Sequence, residues 1–307
     1  LGTLLQAQGD LAGARPYLEQ ALAVYQAELG PRHPDTASSL NNLGTLLQAQ
    51  GDLAGARPYL EQALAVRQAV LGPRHPSTAT SLNNLGFALQ DLGDLAGARP
   101  YFEQALAVQQ AVLGPRHPLT ASSLNNLGLL LKTQGDLAGA RPYYEQALAV
   151  QQAVLGPRHP DTAGSLNNLG TLLQAQGDLA GARPYLEQAL AVQQAVLGPR
   201  HPLTASSLNN LGSLLQDLGD LAGARPYFEQ ALAVRQAVLG PRHPDTAQSL
   251  WWLGALAQQT GDLAGARQYL ERAVAGFRES LGAAHPRTQA CQGWLDRLGP
   301  ASPEASA

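Results

Sequence analysis

The chain has 307 residues, 45% of them apolar and 14% charged, with a formal net charge of −3. Length alone suggests two domains, and no run of like charge suggests a polyanion-binding patch or an anionic-membrane anchor, so neither nucleic acid nor a membrane is expected as a partner. A single cysteine, Cys291, excludes an intrachain disulfide and any cysteine-based metal or redox motif.

The opening stretch LGTLLQAQGD has neither the basic flank nor the apolar run of a signal peptide, and no segment reaches the ~18 apolar residues of a membrane helix. A soluble, cytoplasmic protein is expected. There is no methionine, and Leu1 aligns with Leu43 in the middle of a repeat, so the chain reads as a piece of something longer. Lys132 is the lone lysine among 20 basic residues, a bias that suits a GC-rich bacterial genome.

A fixed period of 42 residues decides the organisation. GDLAGAR begins at 9, 51, 93, 135, 177, 219 and 261, and GPRHP begins at 30, 72, 114, 156, 198 and 240, with GAAHP at 282. Within one unit, Leu40, Leu43 and Leu47 fall at helical spacing and predict a first helix, A, over about 36–49. Leu53, Ala56, Leu60, Ala63, Leu64, Val70 and Leu71 predict a second, B, over about 53–71. Asp52 is placed to cap helix B, and Gly72-Pro73 stops it. Pro58, repeated at 16, 100, 142, 184 and 226, sits inside helix B and predicts a kink or a loosened first turn. A last helix is expected over about 288–298, and GPASPEASA at 299–307 reads as a disordered tail.

Two short amphipathic helices cannot bury their apolar faces alone, so the pairs must stack into a continuous core. The expected fold is all-α, an α-α superhelix or solenoid of helix-turn-helix repeats. It forms one array over 1–298, about seven repeats with the first truncated. Gly44, Ala56 and Ala63 allow close approach of the helices, and Leu60, Phe102, Tyr144, Leu186, Phe228 and Leu270 fill the space between them. The tyrosines Tyr17, Tyr59, Tyr101, Tyr143, Tyr185, Tyr227 and Tyr269 are expected in the core. Arg57 and Glu61, four apart, read as an exposed pair.

L-x₂-L-G-x₂-L at 40–47, followed by A-x₃-L at 56–60 and Ala63, closely resembles the tetratricopeptide repeat. The long B helix and LGPRHPDTASSLNNLG at 29–44 resemble the 42-residue repeats of kinesin light chains and their bacterial relatives. The resemblance covers 1–298 and implies a superhelix whose A helices line a concave wall. It places Asn42, Asn84, Asn126, Asn168 and Asn210 on a ladder along that groove, flanked by Asn41, Asn83, Asn125, Asn167 and Asn209.

A carboxamide donates and accepts, so a row of them can pair with a peptide backbone whatever its side chains. The same row could instead bridge neighbouring repeats, and both roles stay open at this point. Thr45, Phe87, Leu129, Thr171 and Ser213 vary at one groove position. Gln48, Gln90, Lys132, Gln174 and Gln216 occupy another, leaving Lys132 as the one cation there and arguing against a clamp for a C-terminal carboxylate. At 250–254 the pair becomes Trp251-Trp252, and Trp294 follows one unit after Trp252. These tryptophans read either as a cap over the last repeat or as an aromatic pocket for a partner.

The histidines His33, His75, His117, His159, His201, His243 and His285 share one loop position. One imidazole per repeat leaves no second metal ligand nearby, so a loop-ordering hydrogen bond is expected and no metal. No catalytic constellation or cofactor motif is found, no G-x₄-G-K-[ST] occurs, and Cys291 reads as inert. The expected function is a non-catalytic interaction scaffold that holds a protein or peptide in the asparagine-lined groove. The alternatives are a ligand-sensing arm of a larger bacterial signalling NTPase or caspase-like effector, and a structural repeat that self-associates head to tail.

Overall fold

The computed structural model describes residues 1–7 and 10–299, so the tail expected beyond Gly299 lies outside the described residues. Fifteen α-helices follow one another among them: α1 (Gly2–Ala7), α2 (Leu11–Glu28), α3 (Pro34–Ala49), α4 (Leu53–Val70), α5 (Pro76–Asp91), α6 (Leu95–Leu113), α7 (Pro118–Thr133), α8 (Leu137–Val154), α9 (Pro160–Ala175), α10 (Leu179–Val196), α11 (Pro202–Asp217), α12 (Leu221–Leu239), α13 (Pro244–Gln259), α14 (Leu263–Leu281) and α15 (Pro286–Arg297). Odd-numbered helices are the A helices and even-numbered ones the B helices. Together they form an all-α array of consecutive helix-turn-helix pairs. Helix A starts at the proline of each GPRHP, two residues before the sequence expectation, because proline suits the first helical position.

The chain divides into two compact units, Leu1–Val192 and Gln193–Ala307, the boundary falling inside α10. In the first unit each B helix packs on the A helix before it and the A helix after it, and successive A helices α3, α5, α7 and α9 touch directly. The core there is built from leucines and alanines of both helix types together with Phe102. In the second unit α11 through α15 pack around Leu215, Phe228, Leu250, Leu253, Leu270, Phe277 and Cys291.

Local chemistry accounts for each boundary. Asp52 accepts from the Gly55 N–H at 2.9 Å and caps α4, and a Cβ on Gly55 would stand 2.3 Å from the Asp52 carboxylate. GDLAG is therefore a capped start in which the third helical residue must be small. Gly51 and Gly72 adopt φ of +80° and +89°, the left-handed geometry that ends the preceding helices. Pro58 lies within a helix that runs without a break from Leu53 to Val70 and is capped at Asp52. Ala54 and Pro58 are both exposed, which leaves the carbonyl that proline cannot serve on the solvent side.

A and B helices meet most closely at the A-helix glycine. A Cβ on Gly128 would stand 2.7 Å from the Tyr144 ring, and one on Gly44 would stand 2.7 Å from Leu60. Leu60, Phe102 and Phe228 are completely buried and Tyr144 is 1% exposed, as the space-filling expectation requires. Burial pushes the Tyr144 phenol pKa up, keeping it neutral. The neighbouring tyrosines are a correction: Tyr17 is 46% exposed and Tyr59, Tyr101, Tyr143, Tyr185, Tyr227 and Tyr269 are half-buried. One residue along a helix turns about 100°, so the position before a core position faces the rim. Arg57 and Glu61 form the exposed pair at 2.6 Å, and five equivalent pairs recur at up to 3.0 Å.

Two glycines give a matched test. Gly128→Ala forces the Tyr144 ring to move and is expected to cost about 1–3 kcal/mol. Gly164→Ala, where an added Cβ meets nothing within 4 Å, is expected to gain up to about 1 kcal/mol from helix propensity. Urea midpoints of the two variants check the opposite signs.

Candidate functional site

The asparagine pair of each A helix divides into two roles in the first unit. Asn83 uses both ends of its amide, donating to Ser123 Oγ at 3.2 Å and accepting from Asn126 Nδ2 at 3.2 Å. Asn84 donates to Asn41 Oδ1 at 2.9 Å, and Asn125 donates to Ser165 Oγ at 2.7 Å. Each bond links one repeat to the next. Asn41 and Asn167 are buried at 8% exposure while Asn42 and Asn168 are half-buried, and Asn83 and Asn125 are half-buried like their neighbours Asn84 and Asn126. The first asparagine, expected to flank the ladder, is thus a strut between repeats, and Asn42 and Asn168 stand nearer the solvent than Asn41 and Asn167. Asn84 and Asn126 spend an N–H on the preceding repeat and keep their carbonyl oxygens unengaged among the described residues.

Two serines at this A-helix position, Ser81 and Ser165, are themselves tied to helix B. Ser81 accepts from Arg67 Nη1 at 2.8 Å, and the same guanidinium reaches Ser77 O at 3.0 Å and Ser38 Oγ at 3.2 Å. Ser165 donates instead to Gln151 Oε1. Arg67 and Arg235 share this buried position with Gln109, Gln151 and Gln193, and serine suits both residue types because it accepts from arginine and donates to glutamine. Burial lowers the Arg67 pKa without removing its charge.

On the solvent side of the same A helices stand Phe87, half-buried with its ring edge on Phe102 at 5.0 Å, and Leu129, 37% exposed. Lys132 Nζ donates to Thr171 Oγ1 at 2.8 Å, and burial brings its pKa down to about 8. No carboxylate pairs with it among the described residues. Gln48 pairs with Asp91 at 2.6 Å across to the next repeat.

In the second unit Asn209, 6% exposed, donates to Ser249 Oγ at 3.2 Å, and that oxygen also accepts from Arg235 Nη1 at 2.9 Å. Asn210 is half-buried. The Asn209 Oδ1 has no hydrogen-bond partner, and neither has the Asn125 Oδ1 of the first unit, although the repeat after Asn125 offers Asn168 and the one after Asn209 offers Trp252. Trp252 stacks on Phe228 at 6.2 Å with an interplanar angle of 2°. Trp251 packs edge-on against Phe277 at 6.2 Å and Trp294 at 6.4 Å, and Arg297 lies 5.0 Å over the Trp294 ring. Both tryptophans are half-buried against the last core cluster, alongside Cys291, Leu295 and Leu298. Burial pushes the Cys291 thiol up to about 12, so its thiolate is not available near neutral pH.

Ala257 stands where Leu5, Leu47, Leu89, Leu131, Leu173 and Leu215 stand in other repeats. It lines a surface cleft of about 450 Å³ with Leu221, Arg225, Leu253, Leu256 and Thr260. Arg225 is already paired with Glu229 at 3.0 Å.

Each loop histidine is a helix N-cap: the Nδ1 of His33, His75, His117, His159, His201, His243 and His285 accepts the N–H two residues on at 3.1–3.2 Å. The other lock on this turn is a threonine that the sequence reading passed over. Thr36, Thr78, Thr120, Thr162, Thr204, Thr246 and Thr288 are all at or near complete burial and donate to the carbonyl of the turn glycine at 2.8–2.9 Å. Their only sequence signal was recurrence three residues after each histidine.

These features define a helical-hairpin repeat array of the kind that carries binding surfaces on its helix faces. The chain belongs to the tetratricopeptide repeat family, whose profile matches residues 1–69, 41–107, 77–153, 128–195, 161–237 and 203–279. Its repeats are of the kinesin-light-chain-like kind. A putative kinesin light chain from Podosopora anserina with nearly identical TPR-like repeats shares 30% identity at a TM-score of 0.54, over 67% of this chain and 97% of that one. BtubC (BKLC) from P. vanneervenii shares the fold at 23% identity and a TM-score of 0.57, over 85% of this chain and 96% of that one. The apo form of RapI does so at 14% identity and a TM-score of 0.67, over 91% and 95%. None of the curated proteins compared matches the chain. Arrays of this family are generally non-catalytic scaffolds for protein interaction. Among the described residues no helix is long and apolar enough to cross a membrane.

The His243 cap carries a pH dependence. Burial, the largest cause, and nearby Arg235 lower the His243 pKa from 6.5 against the opposing Asp245 carboxylate. Its folded pKa lies below its unfolded value, so the cap's contribution is complete above pH 6.5 and declines as pH falls below it. His243→Asn keeps an N-cap acceptor that does not titrate. The variant is expected to show a flatter fall in melting temperature between about pH 7 and 5, and parallel thermal melts across that range check it.

Proposed function

We propose that the chain is a non-catalytic scaffold whose first unit binds an extended peptide segment of a partner protein along the solvent side of α3, α5, α7 and α9. The observation that carries this reading is Leu129, 37% exposed on an A helix, with half-buried Phe87 one repeat before it and Lys132 one turn after it. An exposed leucine beside a phenylalanine, in a row that otherwise holds threonine and serine, favours an apolar anchor on the partner. The unengaged carbonyl oxygens of Asn84 and Asn126 are acceptors for peptide N–H groups on either side of that anchor. Asn42 and Asn168 extend the same row. Asn41, Asn83, Asn125 and Asn167 serve the surface indirectly by fixing the spacing of the repeats, and Asn209, Asn210, Trp251 and Trp252 in the second unit finish the array. A cytoplasmic setting fits this role.

Peptides selected from a random library against the intact chain provide the test. Leu129→Asp is expected to weaken their binding tenfold or more at an unchanged melting temperature, as expected for an apolar anchor site. Selected peptides that bind Leu129→Asp and Lys132→Gln as tightly as the parent chain would contradict the reading.

A further inference from the structure

The turn arginines of GPRHP are exposed, and within the first unit the stacking of repeats sets Arg32, Arg74 and Arg116 along the same edge. Arg32, Arg74 and Arg116 of the first unit make no ion pair or hydrogen bond among the described residues. Only in the second unit does such an arginine meet an acid: Arg242 Nε lies 3.0 Å from Glu279 Oε1, a residue of the B helix that follows its turn. The residues in the place of Glu279 are Ala69 for Arg32, Ala111 for Arg74 and Ala153 for Arg116, all exposed. Each alanine leaves open the place that a carboxylate takes beside Arg242.

The surroundings are apolar as well as basic. Val70, Val112 and Val154, next to these alanines, are 46%, 47% and 50% exposed. Glu28 and Asp35 temper the charge at Arg32, Asp35 lying 3.6 Å from His33. Around Arg74 and Arg116 the corresponding places hold Val70 and Ser77, and Val112 and Leu119, with no acid among them. Helices pack about 8–10 Å apart, and an extended chain in the polyproline II conformation has three residues per turn at about 3.1 Å each, so every third residue of such a segment returns to the stripe.

We propose that Arg32, Arg74 and Arg116, with the open places at Ala69, Ala111 and Ala153, form a docking stripe for an extended acidic segment of another protein. The carboxylates of that segment take the position that Glu279 occupies beside Arg242, and its apolar residues cover the exposed valines. Nucleic acid is disfavoured by the chain's net charge of −3 and by the valines. The stripe is separate from the A-helix face proposed above and stands without it.

The test is fluorescence anisotropy of a labelled (Glu-Val-Ser)₄ peptide with the full chain at low salt. Binding is expected to saturate, to weaken with added salt and to vanish when the glutamates are replaced by glutamine. Arg32→Gln, Arg74→Gln and Arg116→Gln together are expected to weaken it roughly tenfold, since exposed pairs each contribute a few-fold. Ala69→Glu, Ala111→Glu and Ala153→Glu, which copy the Glu279 pair and keep every arginine, are expected to weaken it as much. Leu129→Asp is expected to leave it unchanged. Absence of saturable binding, insensitivity to either triple variant, loss in Leu129→Asp, or tighter arginine-dependent binding of an oligonucleotide of equal length would each overturn the proposal.

Discussion

The whole array depends on the close approach of helix A to helix B at a glycine. The side chain from helix B, Leu60, Phe102, Tyr144 or Phe228, lies directly over Gly44, Gly86, Gly128 or Gly212, where an added Cβ would stand 2.7–2.9 Å from it. That contact makes each hairpin thin enough to stack. A single hairpin still leaves half its apolar surface bare, so the next repeat must cover it, and stability is shared between neighbours. Polar chemistry is then confined to what fixes the angle and spacing of that stack. The asparagine-to-serine bonds, the Arg67 and Gln151 links and the buried threonines of the turns all serve this end.

Much of this was legible in the sequence because the physics is local. A period of 42 with GDLAGAR and GPRHP at fixed offsets determines helix pairs, their caps and their stops. Asp52 and Gly72 needed nothing beyond their neighbours in the chain to be read correctly. Position 60 was legible as interior because Leu, Phe and Tyr exchange there while the small partner at 44 does not.

Other features depend on neighbours that lie about forty residues away. Two adjacent asparagines point about 100° apart on a helix, and only the packing of the next repeat decides which one is enclosed. The recurrence of Tyr59 and its equivalents along helix B suggests the core, but the adjacent Leu60 takes the interior and leaves Tyr59 half-buried. Thr36 carries no helical or capping signature until the turn brings the Gly30 carbonyl within 2.8 Å. The arginine edge was invisible for the same reason: charges spaced 42 apart in the chain form a row only once the repeats are stacked.

The central claim is that the first asparagine of a pair is a strut to the serine of the next repeat, as Asn83 and Asn125 are, while Asn42 and Asn168 carry the more solvent-accessible amides. Side-chain amide exchange measured by nuclear magnetic resonance addresses it directly. The account predicts slow exchange for the Nδ2 protons of Asn83 and Asn125, which are bonded to Ser123 and Ser165, and fast exchange for those of Asn42 and Asn168. Equal rates in the two sets, or protection confined to Asn42 and Asn168, would contradict it.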